Sequence, residues 1–408
     1  MSFNDPLAYA LLSLALVILS AKSLGRWRLH FFSAINIVFV ALSLNISGVS
    51  LVVFAIFLIV HYFALRLMLI SASSTIRSVI FWCWLTLCLA GFVVVKQYHW
   101  ITEFVIEGSL VPASLVTVGL SFILFRQLCL AIETRDGALN AVPIQDYLNF
   151  NLAFWTFIAG PLQRFDAFRA QNDRLAKAES VATQEVLLGL NRAAFGFIKM
   201  FVLANFASQY ATTSTFLDNP QPIYLIVFLF AFPVYLYLNF SGYCDVVIGI
   251  ARAVGFNLPE NFNHPYLARN INDFWSRWHI TLSELLRDYL YFPIQTSLAR
   301  HIPILPAMIL ATLFSFLVMG IWHGNSISFA IFGLLHGIGV VIVNLYTEGL
   351  KKLLRKEQLK NYRNNRLIRL ISVIFCQCYV ILTFLPFNYS NAELNKVFQG
   401  ITALVGNF

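Results

Sequence analysis

Three histidines stand where an imidazole can do chemistry: His279, His323 and His336. His323 closes the apolar run Leu313–Trp322 and is followed at once by Gly324 and Asn325. A glycine there lets another backbone or a substrate approach closely. An imidazole titrates near pH ~6.5, so at rest it is neutral and can take the proton of a hydroxyl as a general base. The residues alone also allow a plainer reading, a buried imidazole that hydrogen-bonds between helices. His279 follows Trp278 and precedes the hydroxyls of Thr281 and Ser283. It either orients the base or holds an acyl carbonyl, or it is simply an interfacial histidine. His336, in Gly333-Leu-Leu-His-Gly337, is thirteen residues beyond His323. Along a continuous helix that is about 20 Å, so the two need not share a site. His336 then lines the same passage or joins two helices. His30, His61, His99, His264 and His301 fall near span ends or in loops and carry no assigned chemistry.

Other chemistries lack their residues. No HxH or HExxH spacing occurs, and no carboxylate lies one helical turn from His323 or His336, which argues against a metal site. There is no GxSxG elbow, no phosphate-binding P-loop and no GxGxxG opening a helix. The Cys376-Gln-Cys378 pair has no second pair to complete a metal site and sits in an apolar run, so these read as inert buried thiols.

The elements that must hold these histidines are membrane helices. Of 408 residues, 59% are hydrophobic and only 12% charged, about half the charge of a soluble domain. The deficit runs along the whole chain, giving one membrane domain over residues 1–408. Apolar windows fall at Leu7–Ala21, Phe31–Asn45, Leu51–Ile70, Val79–Val95, Leu115–Ile132, Tyr147–Ile158, Val186–Phe206, Tyr224–Leu238, Pro303–Ile321, Ser328–Tyr346 and Leu370–Phe387. Several are short, so the expectation is an all-α polytopic protein with roughly nine to twelve membrane helices. The net charge of +9 sits in short loops: Lys22, Arg26 and Arg28, then Arg164, Arg169, Arg174 and Lys177, then eight basic residues between Lys351 and Arg369. This is topology and contact with anionic lipid rather than nucleic-acid binding, and it places these loops in the cytoplasm and the N-terminus outside. The first apolar run has no basic residue before it, so it does not read as a cleavable signal.

Between Asn239 and Arg300 the composition changes, mixing aromatics with Asp245, Arg252, Arg269, Asp273, Arg277, Arg287 and Asp288. Such a segment is too polar for a simple span and too aromatic for a solvated loop, so it belongs inside the protein or along a watery cavity. Gly255, Pro259 and Pro265 break helix around Phe256–Tyr266. Asn272 or Asp273 is a candidate cap for a re-entrant or interfacial helix from about Phe274 to Tyr291, with Trp275, Trp278, Leu282 and Leu285 at helical spacing.

Ordered motifs then coincide. Asn272-Asp-Phe-Trp-Ser-Arg-Trp-His-Ile-Thr-Leu282, Arg287-Asp-Tyr-Leu-Tyr291 and Met319-Gly-Ile-Trp-His-Gly324 resemble the membrane-bound O-acyltransferase (MBOAT) family. Its bacterial branch, which acetylates alginate or adds D-alanine to teichoic acid, is the nearest in pattern. Phe157-Ile-Ala-Gly-Pro-Leu162 with Arg164, Asn239-Phe-Ser-Gly-Tyr243 with Asp245, Pro259-Glu-Asn-Phe-Asn-His-Pro-Tyr266 and Leu334-Leu-His-Gly337 match as well. The motif-rich core covers about residues 115–346.

The resemblance implies a ring of tilted helices around a tunnel joining the two membrane faces. It implies His323 as catalytic base and His279 as the second site position, orienting the acyl group or stabilising the oxyanion. His336, Trp322, Trp278, Arg287, Asp288, Asn239, Tyr243 and Asp245 support the site or line the tunnel. It further implies a multi-pass protein of the bacterial cytoplasmic membrane with no tightly bound cofactor. The co-substrate is an acyl thioester, on an acyl carrier protein or coenzyme A, arriving from the cytoplasm. The acyl group is of acetyl or D-alanyl type, and the acceptor is a hydroxyl of an envelope polymer or glycan, or a periplasmic partner protein. The alternatives are a transporter or channel, which would show inverted repeats that the sequence lacks, and an acyl-relay scaffold for a separate periplasmic transferase.

Overall fold

The computed structural model describes residues 27–43, 48–96, 120–157, 159–177, 181–324 and 326–406. Every regular element among them is helical, apart from one isolated bridge between Phe262 and Trp278. Among the described residues, seven helices are long and apolar enough to cross a membrane. They match the windows read near Leu51, Val79, Val186, Tyr224, Pro303, Ser328 and Leu370. The window Leu7–Ala21 lies outside the described residues, and Phe31–Asn45 falls on α1 (Arg28–Ser43), whose 16 residues leave it outside the seven. The described residues group into two compact units: Met1–Gly196 with Tyr243–Pro259, and Phe197–Gly242 with Glu260–Phe408.

In the first unit, α2 (Gly48–Ile70), α3 (Ser74–Lys96) and α4 (Leu120–Arg135) pack beside α1 and the short α5 (Ile144–Leu152). Here the expected span Tyr147–Ile158 is not one helix. It stops at Leu152, Ala153 leaves the helical region, and only Phe154–Phe157 turns again. The cause is a side chain far along the sequence. Arg126 of α4, 3% exposed, donates from Nη1 to the carbonyls of Phe150 and Asn151 at 3.1 and 2.9 Å. Its Nη2 reaches the Thr156 carbonyl and hydroxyl. Asn36 of α1 accepts the freed Phe154 N–H at 3.0 Å. Broken backbone survives away from water only when its polar groups find such partners. His61 belongs to the same polar core: the Tyr147 hydroxyl donates to the Leu58 carbonyl at 2.9 Å and therefore accepts from His61 Nδ1 at 3.0 Å.

The helix α6 (Phe165–Lys177) follows, then α7 (Thr183–Ile198), which continues through a π turn at Lys199–Ala204 into Asn205–Ser208. The next helix, α8 (Pro222–Ala253), is 32 residues long. The stretch from Asn239, read as too polar for a simple span, is therefore helical through Ala253, and the irregular segment expected around Phe256–Tyr266 begins beyond its end. Its charges are matched rather than solvated: Arg192 pairs with Asp245 at 2.9 Å and Arg252 with Glu185 at 2.7 Å. Between these pairs Gly189 of α7 meets Gly249 of α8, and a Cβ on either would strike the other's carbonyl oxygen. Small residues let helix backbones touch in this way.

In the second unit the expected helix from Phe274 to Tyr291 is broken. It becomes α9 (Ile271–Trp275), α10 (Ile280–Leu286), a π turn at Arg287–Tyr291 and α11 (Phe292–Leu298). The cap of α9 is Asn270, whose side chain accepts from the Asp273 N–H, not Asn272 or Asp273. Two long helices follow, α12 (Ile304–His323) and α13 (Ile327–Leu353), antiparallel and joined by a short turn. They cross at Gly320 and Gly333, where a Cβ on either would collide with the other helix. The chain ends with α14 (Lys356–Asn364), α15 (Arg366–Thr383), a short turn at Leu385–Asn388 and α16 (Asn391–Gly406). The sequence reading did not foresee α16. Of the six free cysteines, Cys83 and Cys378 lie on exposed faces rather than buried.

Candidate active site

His323 is the last residue of α12, because Gly324 turns fully extended, φ −170° and ψ 175°. The chain then folds back into α13, and that reversal changes the expected relation between the histidines. The 20 Å separation along one helix does not arise. A single ring, Phe332, lies 5.9 Å from the His323 imidazole and 4.6 Å from that of His336. Phe387 lies 5.1 Å from His323, and Phe384 lies 5.6 Å from His336 and 5.5 Å from Trp278. Trp322 packs on His323 at 4.6 Å. An aromatic shell from α9 and the break after it, α13, and Phe384 with the Leu385–Asn388 turn thus encloses His336, contacts His323 and includes Trp278, the residue before His279.

Gly324 is required by what covers it. A Cβ there would run into the ring of Phe329, which is itself held 5.3 Å from Phe387. Gly324→Ala is expected to push Phe329 outward and shift His323. Misplacing a catalytic group by about 1 Å costs on the order of 10²-fold in rate. Trimming the ring in the double variant Gly324→Ala, Phe329→Ala should restore turnover. Turnover of Gly324→Ala equal to the parent would show that the glycine does not hold the histidine.

His279 sits in the break between α9 and α10, with φ 45° and ψ 52°. That left-handed conformation is uncommon outside glycine and marks an over-determined position. It is 3% exposed, with its ring 4.9 Å from Phe240 of α8 and its Nδ1 3.2 Å from Asn261 Oδ1. It lies outside the seven apolar helices. Burial first, and the nearby His323 second, push its imidazole well below the ordinary histidine value. The neutral form is the resident one, and both imidazoles lie within electrostatic reach of each other. His336 is fully buried in α13, its Nε2 3.0 Å from the Thr383 hydroxyl.

A cavity of ≈ 380 Å³ adjoins this shell. Its wall combines Asn272, Trp275, Ser276, Ser283, Glu284, Arg287 and Tyr291 with Thr312, Ser315, Phe316 and Met319 of α12 and Val340 and Asn344 of α13. Asn272 donates to Asn344 at 2.7 Å. None of the three histidines is in the wall, but Trp275 is, and its ring lies 5.2 Å from His336. Arg287 is exposed on the π turn and pairs with its neighbour Asp288 at 2.8 Å.

The remaining expected residues divide. Asn239 is half-buried on α8, donating to the Tyr235 hydroxyl at 3.3 Å. Tyr243 and Asp245 belong to the first unit, where the Tyr243 hydroxyl donates to the Trp155 carbonyl at 3.3 Å and Asp245 pairs with Arg192. Two features went unread in the sequence: Asn261 at the His279 turn, and the Asn272–Asn344 pair. Neither residue type at either place carries a local signal, because each acts through a partner far along the chain.

Comparison with known proteins bears on what this arrangement is for. The chain is 29% identical over 252 residues to a teichoic acid D-alanyltransferase of Bacillus subtilis. It is 34% identical over 244 residues to a probable alginate O-acetylase of Azotobacter vinelandii, and 35% over 214 residues to a peptidoglycan O-acetyltransferase of Helicobacter pylori. These alignments cover 59%, 59% and 51% of this chain. They cover 62%, 47% and 38% of the relatives, so the chain spans about half the length of the proteins it matches. The family model for membrane-bound O-acyltransferases matches residues 110–385, a range that contains all three histidines and the cavity. The chain is a multi-pass membrane protein belonging to the membrane-bound O-acyltransferase family.

Proposed function

We propose that this protein transfers an acyl group from a thioester donor on the cytoplasmic side to a hydroxyl of a cell-envelope polymer or glycan, in a bacterial cytoplasmic membrane. The observation that carries this is an aromatic shell that contacts His323, includes Trp278 next to His279, and adjoins a polar-walled cavity. The named activities of the relatives, D-alanyl transfer and O-acetylation of envelope polymers, agree with it. In the proposed step His323 takes the proton of the acceptor hydroxyl as that oxygen adds to the thioester carbonyl. The tetrahedral intermediate collapses, the C–O ester bond remains, the C–S bond breaks, and the proton passes to the leaving thiolate. Exclusion of water by the aromatic shell favours ester formation over hydrolysis. The cavity takes the donor arm, with Arg287 at its wall available to a donor phosphate and the Asn272–Asn344 pair to donor amides. The donor is carried by an acyl carrier protein or coenzyme A, and no resident cofactor takes part.

The test is reconstitution in lipid nanodiscs with labelled acetyl-coenzyme A or a D-alanyl-loaded carrier protein, each with envelope polysaccharide or teichoic acid. Alkali-labile label on the acceptor is the expected product. Label that is never esterified, or that appears only when a separate transferase is added, would replace this reading with a channel or a relay scaffold.

A further inference from the structure

Asn261 and His279 are eighteen residues apart, yet the turn carrying His279 is built on Asn261. The Asn261 carbonyl accepts the Ile280 N–H at 3.0 Å. The next residue, Phe262, forms the bridge with Trp278, and the Asn263 N–H donates to the Arg277 carbonyl at 2.9 Å. The Asn261 side chain, 1% exposed, adds three contacts from one atom, Oδ1. It lies 3.2 Å from the Thr281 N–H nitrogen, 3.0 Å from the Thr281 hydroxyl and 3.2 Å from His279 Nδ1.

The chemistry of those neighbours decides which atom and which tautomer are present. A backbone N–H can only donate, so the amide atom facing Thr281 must be the oxygen and not the nitrogen. An amide oxygen can only accept. The His279 nitrogen facing it must then carry a hydrogen. In a neutral imidazole with hydrogen on Nδ1, Nε2 is bare and can only accept. Metal ligands and catalytic histidines are oriented in the same way, by what the far nitrogen binds.

We propose that Asn261 is a positioning residue that locks His279 as its Nδ1–H tautomer and so presents the Nε2 lone pair to the reactants. This rests on the acyl-transfer reading for its consequence, though not for its geometry. A bare nitrogen repels a developing oxyanion and attracts a hydroxyl hydrogen. His279 therefore accepts from a second hydroxyl of the acceptor, beside the one that His323 deprotonates, and the oxyanion-stabilising role that the family resemblance implies for it falls to other donors.

The test uses the full-length protein with ¹⁵N-labelled histidine in nanodiscs and magic-angle-spinning spectroscopy, with His279→Gln identifying the resonances. The expected spectrum has directly bonded hydrogen on Nδ1 of His279 and none on Nε2. Asn261→Asp should keep that signature, because a carboxylate oxygen also accepts. Asn261→Leu should lose it. Hydrogen on Nε2 in the unmodified protein, or an unchanged signature in Asn261→Leu, would overturn the proposal. The unmodified protein's spectrum decides the matter even where Asn261→Leu does not fold. The measurement needs no donor or acceptor, so an absence of acyl transfer in the reconstituted system would leave its outcome readable.

Discussion

Replacing His323 by Ala is expected to lower acyl transfer by about 10²–10⁴-fold, the usual contribution of a positioned general base. The protein should still be recovered folded from the membrane. His323 ends its helix at a half-buried position, and its neighbours Phe332 and Phe387 are also held by other rings. Truncation there removes a proton acceptor more than it removes packing. The same substitution at His336 makes the useful contrast. That imidazole is fully buried and bonded to Thr383, so its loss opens a cavity and should act chiefly through stability, about 2–5 kcal/mol for deletion of a large buried side chain. Ester formation in nanodiscs alongside a thermal melt separates the two effects. Near-normal transfer by His323→Ala would remove it from the chemistry.

The second large effect is expected in the first unit. Arg126→Met removes the donors that hold the carbonyls of Phe150, Asn151 and Thr156 where the backbone leaves its helix. Each buried hydrogen bond from a charged donor contributes about 1.5–3 kcal/mol. The deletion also returns the desolvation cost of burying a guanidinium, several kcal/mol. The net loss should therefore be smaller than the sum of the bonds, about 2–4 kcal/mol. Arg126→Lys should recover little of it, because a single ammonium cannot span three carbonyls in a planar fork. The melting temperature in nanodiscs reads this directly. A melt unchanged in Arg126→Met would mean that the break at Ala153 is held by other contacts.

The apolar runs made most of the helices legible, whereas the Trp322-His323-Gly324 triplet became a candidate site only through its resemblance to a family motif, because the residues alone also allow an imidazole that joins helices. Helix breaks were less legible. Tyr147–Ile158 has the composition of a span, and only Arg126 and Asn36, distant in sequence, turn it into two pieces. Phe274–Tyr291 has the periodicity of one helix, and the Asn261 and Phe262 contacts override it. Both misreadings share a cause: periodicity reports local preference, and long-range hydrogen bonds outbid it where backbone groups must be satisfied. Gly324 was read as permitting close approach, and it does, but the approaching group is Phe329 of the same hairpin.

The hairpin of α12 and α13 has a consequence for how the site is made and moved. Both of its helices, the glycine crossing at Gly320 and Gly333, His323, His336 and Phe332 all lie within Ile304–Leu353. Contacts so close along the chain form with little loop-closure entropy, so this half of the site can assemble as the segment leaves the translocon. His279 depends on a different stretch, Asn261 to Arg277, and joins from outside. The hairpin is thus a natural recombination cassette. Exchanged whole between relatives it carries its own histidines, glycines and ring; exchanged one helix at a time it would bring mismatched surfaces to a crossing that has no room for a methyl group.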